Sequence, residues 1–262
     1  MSHPAPVPCL ELISLPDIPE VRPGANLAGL LAASLSALQF TPHPQDILVV
    51  AQKVVSKAEG RLVRLADITP SVKAMELAAQ AHKDPRLAQL ILDESRVVLR
   101  VRPGIVIVEH RLGMIHANAG IDQSNLPDNR GGEWALLLPL DPDASAKALS
   151  IGLAMRIGVT MGVIISDSMG RAWRLGTTCA AIGCAGVPVL RDQTQEEDLH
   201  GRVLQNTWIA VADQLAAAAG LLMGESGEGY PAVLIRGLPP GASDTMQEAH
   251  ALLRPRELDL FR

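Results

Sequence analysis

Aromatic side chains are almost missing from this chain: two Phe, three Trp and one Tyr among 262 residues. So few rings exclude a base-stacking surface of the kind that grips single-stranded nucleic acid. An excess of positive charge is missing too. Twenty-three Lys and Arg stand against 28 Asp and Glu, a formal charge of −5, so no basic face drives association with nucleic acid. No apolar run approaches the roughly 18 residues of a membrane span. The opening Met1-Ser2-His3-Pro4 lacks the basic and apolar regions of a secretory leader. A cytoplasmic protein that contacts neither membrane nor nucleic acid is expected. Three cysteines, Cys9, Cys179 and Cys184, form no disulfide framework, and the spacing of the last two is not that of a CxxC redox pair. Several chemical fingerprints are also lacking. There is no GxGxxG, no GxxxxGK[ST], no Cys/His zinc spacing and no GxSxG elbow.

What is present is aliphatic. Hydrophobic residues make up 48% of the chain, and its length suffices to bury a core without disulfides or a structural metal. Asn26 is placed to cap a helix over residues 27–38, Ser71 one that runs to His82, and Asp84-Pro85 one that runs to about Glu94. Asp143 or Ser145 is placed to cap a helix that ends near Ile157. Residues 207–223, rich in Ala, Leu and Val, read as a core helix, with Gly224 placed to end it. Strands are expected over residues 46–51, 62–65, 97–100, 105–109, 114–118, 162–166 and 231–235. Residues 52–61 turn polar, and 120–132 form a long polar loop suited to function. Strands follow one another without intervening helices, which points to an α+β fold with mixed sheets rather than a regular doubly wound one. A main domain over residues 1–240 and a Pro/Gly-rich, then charged tail over 241–262 are expected.

Three acids stand out by context. Asp122 lies on the glycine-flanked polar loop with Asn125 close behind, Asp167 at the end of an apolar strand, and Glu225 just past a helix end. Carboxylates so placed suit a hard cation such as Mg²⁺ or Mn²⁺, which takes oxygen ligands and substrate phosphates. Each acid also fits a plain loop-capping role. Ser56, Lys57 and Arg61 surround Gly60 just after a buried strand, an arrangement that suits phosphate contact or a solvated turn. Arg171 and Arg174 suit either anion binding or local ion pairing. His116, between apolar neighbours, reads as a satisfied structural residue. Ser166-Asp167-Ser168 lacks a local base and is a poor nucleophile candidate.

Several ordered blocks together resemble the F420-0:gamma-glutamyl ligase family. They are residues 54–61 (VVSKAEGR), 117–122 (ANAGID) with Ser124-Asn125, Leu138-Pro139 with Asp141-Pro142-Asp143, 165–168 (ISDS) with 170–174 (GRAWR), 181–183 (AIG) and 210–213 (AVAD). The resemblance runs from about Leu12 to Gly237. It implies GTP-dependent addition of L-glutamate to the terminal carboxylate of F420-0, or of F420-1, through an acyl phosphate. It implies two Mg²⁺ or Mn²⁺ ions per subunit, help from K⁺, and an intertwined homodimer. Residue by residue, it places Asp122 and Asp167 at one metal and Ser168 and Glu225 at a second, with Ser168 where the family usually has Thr. Leu15, Pro16, Asp17, Ile18, Ser56, Lys57, Arg61 and Asn125 match GTP contacts, as do Met223, Gly224 and Glu225. Asp122, Asp167 and Lys57 are the implied catalytic set. The chain departs from the family at Thr177-Thr178-Cys179 and in the stretch 127–132. Two other readings stay open: a ligase for a different amino acid, and a non-catalytic protein that binds GTP or F420. For a deazaflavin ring, only Trp134, Trp173, Trp208 and Tyr230 offer stacking partners.

Overall fold

The computed structural model describes residues 7–38, 40–126, 133–241 and 244–260. In chain order the elements are β1 (Glu11–Ser14), α1 (Leu27–Ala37), β2 (Ile47–Ala51), α2 (Gln52–Ala58), β3 (Leu62–Arg64), α3 (Val72–Ala81) and α4 (Pro85–Asp93). Next come β4 (Ser95–Arg102), β5 (Ile105–His110), β6 (Ile115–Ala117), β7 (Trp134–Leu136), α5 (Pro142–Ile157), β8 (Gly162–Gly170) and β9 (Thr177–Ala185). The last are β10 (Pro188–Asp192), β11 (Trp208–Ala210), α6 (Val211–Met223), β12 (Ala232–Arg236) and β13 (Asp244–Met246).

The central sheet has the strand order β1-β12-β2-β8-β9. Only the β2–β8 pair is parallel; the other three are antiparallel. Strict alternation along these strands builds two cores. Leu48, Val50, Val163, Ile165 and Leu234 face α1 and α5, meeting Leu31, Leu35, Leu149 and Leu153. Ile47, Val49, Ile164, Val233 and Ile235 face the other way, onto Val211, Leu215, Ala216 and Ala219 of α6. Each large aliphatic side chain buried this fully contributes about 1.5–3 kcal/mol, and sheet strands covered on both faces need no polar alternation. Beside this sandwich, α3 and α4 pack on a smaller sheet of order β4-β5-β6. A β3–β7 pair links the two regions, and β11-β10-β13 forms a third small sheet. The expected α+β class with mixed sheets is what the molecule has. Among the described residues no helix is long and apolar enough to cross a membrane.

The caps decide most helix starts. Asn26, Ser71 and Asp84 each accept a backbone N–H from the first turn, at 3.1, 3.2 and 2.8 Å. For α5 the expected cap is wrong: Asp141 caps it, accepting from the Ala144 N–H at 3.0 Å. Asp143 instead accepts from the backbone of Cys184 and Ala249, at 2.7 and 2.8 Å, tying the helix start to β9 and to the C-terminal segment. The helix expected over 207–223 begins only at Val211, because residues 208–210 pair with β10. The polar stretch after β2 is not a turn but helix α2. Strand β8 runs on to Gly170, so Asp167 sits inside a strand paired with Ala180 rather than at its end. Strands β7, β9, β10 and β11, all short or rich in small residues, were not expected from the sequence. The stretch 127–132 lies outside the described residues, so only the first part of the expected polar loop is seen.

Candidate active-site cleft

A cleft of about 590 Å³ opens where β2 ends, at Ala51, beside the parallel strand β8, which runs on past it. Ligand sites collect at such strand ends, because the chain leaves the sheet there and loops take over. Its walls come from four distant stretches: residues 51–57, 116–125, 166–168 and 223–231. Ile18 to Val21 close one side.

Asp122 is carried by a strained turn. Asn118, Ala119 and Gly120 all have left-handed backbone, with φ of 51, 55 and 65°. Only the last is glycine, and such strain persists where surrounding structure enforces it. Here the Asn118 side chain accepts the Val106 N–H at 3.0 Å, and Asp122 and Leu136 exchange both backbone hydrogen bonds, at 3.0 and 2.8 Å. The Asp122 carboxylate accepts the Ser124 N–H at 2.7 Å and lies 2.5 Å from the Lys53 ammonium. Burial alone pushes this acid up, but Lys53 and the Ser124 N–H outweigh it and hold the group below the usual carboxylate range.

Asp167 meets a different partner. Its Oδ2 lies 2.9 Å from His116 Nε2, while His116 Nδ1 lies 3.0 Å from the Ala117 carbonyl oxygen. Both ring nitrogens therefore face acceptors, the arrangement that an imidazolium satisfies with two N–H donors. Burial pushes His116 down, yet its bond to Asp167 and that carboxylate's charge prevail and raise its pKa. The second Asp167 oxygen accepts the Ser168 N–H at 2.9 Å. Next to it, Ser166 is 2% exposed and its hydroxyl has no partner among the described residues. A register shift between Ile165 and Ser166 breaks the strand's alternation, and Ser166, Asp167 and Ser168 all line the cleft.

Lys57 sits one turn after Lys53 on α2 and donates to the Asn125 carbonyl oxygen at 2.8 Å. Burial lowers its pKa against the pull of Glu20, and Lys53 adds to the lowering. Asn125 donates to the Ser226 carbonyl oxygen at 2.8 Å, which joins the loop after Asp122 to the loop after α6. Glu225 on that second loop accepts from Thr177 at 3.4 Å. Gly224 ends α6 at a φ of 68°, and a Cβ there meets the Glu228 carboxylate. Cys179 lines the cleft, but burial, then Glu225 and Asp167, push its thiol up to about 11, so it is not a nucleophile.

The fold thus brings Ile18, Lys57, Asp122, Asn125, Asp167, Ser168, Met223, Gly224 and Glu225 to one cleft. It does not bring Leu15, Pro16, Asp17, Ser56 or Arg61 to its lining. Leu15 is fully buried, and the Pro16 carbonyl accepts the Ser34 hydroxyl at 2.5 Å. Asp17 marks a left-handed turn with φ of 55°. Ser56 is buried against Gln52 at 2.9 Å. Arg61 is spent on Glu94, 3.1 Å to each oxygen, and on the Leu138 carbonyl at 2.8 Å. Arg171 and Arg174 stand exposed on the β8–β9 turn. Of the four rings considered for stacking, only Tyr230 lines the cleft. Sequence reasoning did not single out Lys53, whose signal is its helical spacing from Lys57; His116 is the satisfied, buried residue expected, and it also lines the cleft. Among the described residues no three His, Cys, Asp or Glu side chains come together as a metal-holding group.

Comparison with known proteins agrees with the sequence resemblance. The family model F420-0:Gamma-glutamyl ligase matches residues 17–237. The chain is 43% identical to the coenzyme F420:L-glutamate ligase of Methanopyrus kandleri, over 98% of this chain and 99% of that protein. It is 43% identical to that of Methanothermobacter thermautotrophicus, over 97% and 99% of the two chains, and 40% identical to that of Archaeoglobus fulgidus, over 97% and 96%. With a family model covering most of its length and full-length relatives at this identity, the chain belongs to the F420-0:gamma-glutamyl ligase family.

Proposed function

We propose that this protein joins L-glutamate to the terminal carboxylate of coenzyme F420-0, and then in γ linkage to F420-1, with GTP as the phosphate donor. The observation that carries this reading is a single cleft holding two aspartates, Asp122 bonded to the Lys53 ammonium and Asp167 to the His116 ring, with Lys57 beside them. An oxygen of the substrate carboxylate attacks the γ-phosphorus of GTP, and the bond to the bridging oxygen breaks to release GDP. The amine of glutamate, its ammonium proton lost to solvent, attacks the carbonyl carbon of the acyl phosphate. The carbon–oxygen bond to phosphate then breaks and the attacking nitrogen gives up a second proton to the departing phosphate, leaving an amide and inorganic phosphate. No protein nucleophile enters this sequence, in keeping with the neutral Cys179 thiol.

The cleft's donors fit a hard divalent cation. Asp122, Asp167, Glu225 and Ser168, with the Ser166 hydroxyl that has no partner among the described residues, offer it oxygens. Mg²⁺ or Mn²⁺ would complete its shell with water and substrate phosphate. Asp122 and Asp167 are proposed to hold one ion, and Ser168 and Glu225 a second. Such ions neutralise the phosphate charge that otherwise repels an attacking carboxylate. Lys57 adds fixed positive charge, and Ile18, Asn125 and residues 223–225 flank the nucleotide. Ser56 and Arg61 act indirectly, Ser56 by seating Gln52 in the cleft wall and Arg61 by pinning the end of α2. Residues 15–17 set the approach of Ile18. K⁺ is proposed as a further activator, and a cytoplasmic homodimer as the working form, with residues 1–240 the ligase domain and 241–262 its tail.

Purified protein with F420-0, GTP, Mn²⁺ and single amino acids tests the reading. Mass spectrometry is expected to show a glutamate-sized increment, matched by GDP formation. Asp122→Asn and Asp167→Asn are expected to lower GDP formation at least ~100-fold with unchanged circular dichroism. Full activity in either variant, or an increment with a different amino acid only, sinks the assignment.

A further inference from the structure

Two carboxylates of the cleft have partners of very different character. His116 is buried and tied at both ring nitrogens, to Asp167 at 2.9 Å and to the Ala117 carbonyl at 3.0 Å. It cannot leave Asp167 without stranding a buried ring nitrogen. Lys53 is the opposite case. Its side chain is 24% exposed at the cleft wall, its stem is unbranched, and its ammonium has a second set of acceptors at hand: Ser124 Oγ at 2.9 Å and the Ser124 carbonyl at 3.3 Å. The ammonium can let go of Asp122 and stay anchored on Ser124.

We propose that Lys53 is an exchangeable partner of Asp122: an incoming divalent cation takes the carboxylate oxygen from its ammonium, which keeps Ser124 and turns its freed N–H to a phosphate oxygen of the nucleotide. This rests on the metal-dependent reading above and adds a residue that the reading does not use. His116, by contrast, stays in place as a positioning residue that fixes the Asp167 carboxylate. The exchange follows from chemistry on both sides. A lysine ammonium and a divalent cation compete for the same carboxylate oxygen, and the doubly charged ion gains more from it. An ammonium has three donors, so Ser124 leaves one for the nucleotide.

The test is Mn²⁺ binding without nucleotide, by electron paramagnetic resonance, on the wild type and on Lys53→Met, Lys53→Gln and Lys57→Met. Lys57 carries the same charge one turn away but bonds a carbonyl oxygen, not Asp122. Removal of the competing ammonium is expected to tighten Mn²⁺ binding about tenfold in both Lys53 variants and at most about twofold in Lys57→Met. The KM for GTP is expected to rise several-fold in the same Lys53 variants, opposite in sign to the Mn²⁺ effect. Equal tightening in Lys53→Met and Lys57→Met shows general charge repulsion only and overturns the proposal, as does weaker Mn²⁺ binding in Lys53→Gln. If the wild type binds no Mn²⁺, the metal-dependent reading fails, and this proposal with it.

Discussion

Glu94 is held by two arginines and lies beside a buried histidine. It lies at the end of α4, 11% exposed, and meets Arg61, Arg111 and His110 at 3.1, 2.9 and 3.5 Å. Burial works against its ionised form, yet His110, Arg111 and Arg61 together pull its pKa from 4.5 to about 2. A carboxyl group depressed in the folded state stabilises the fold above its unfolded value, and that contribution is lost as pH falls. The window here is from about pH 4.5 down to about 2. The shift corresponds to ~3 kcal/mol at neutral pH. Glu94→Gln is therefore expected to lose about that much stability at pH 7 in urea titrations, and to show a flatter acid limb between pH 5 and 3 than the wild type. An unchanged urea midpoint refutes the structural role given to this residue. Because Arg61 is held here, the same variant also reports whether that arginine matters to nucleotide binding only through the fold.

At the scale of elements, the contact between β9 and the start of α5 tolerates no side chain. Gly183 faces the Pro142 carbonyl, and a Cβ there lands on the Pro142 backbone. That neighbour is main chain, fixed by the Asp141 cap, so it cannot yield cheaply. Gly183→Ala is expected to cost about 1–3 kcal/mol, a fall of about 2–4 °C in Tm for each kcal/mol. Gly170→Ala, at the far end of β8 with nothing within 4 Å, is expected to shift Tm by about 1 °C or less. Equal shifts in the two variants contradict this packing. The same region shows what a sequence can and cannot announce. Caps at Asn26, Ser71 and Asp84 were legible because a side chain bonds its own helix within three residues. The Asp143 side chain was misassigned because its partners, Cys184 and Ala249, lie 41 and 106 residues away. Strand β9, sequence TTCAAIGCA, was invisible because small residues chosen to fit beneath α5 and α6 carry no strand periodicity.

The whole molecule assembles its cleft from segments more than a hundred residues apart, and periodicity cannot supply that. Asp122 and Asp167 were legible as candidates, and their convergence followed from the family blocks alone. Lys53 and His116 became visible only through their distances to those acids. The C-terminal segment is a second case. Read from sequence as Pro/Gly-rich and charged, it docks: β13 pairs with β10, and Arg191 bonds Asp244 at 2.7 Å. Beyond it, Ala249 and Leu252 join the core under α6, while Leu253 packs against the core under α1 and α5. The segment therefore spans both faces of the central sheet around β9, its edge strand. Exposed sheet edges and apolar faces invite aggregation. A chain ended at Leu238 is expected to uncover that edge, to lose about 2–5 kcal/mol from the freed aliphatic contacts, and to melt roughly 5–15 °C lower. The cleft residues all precede the cut, so Mn²⁺ binding at 4 °C is expected to match the full chain within about twofold. Calorimetry and Mn²⁺ titration on the two proteins decide it: an unchanged Tm means the strap contributes nothing to the fold, and lost Mn²⁺ binding in a folded truncated chain means that the cleft depends on it.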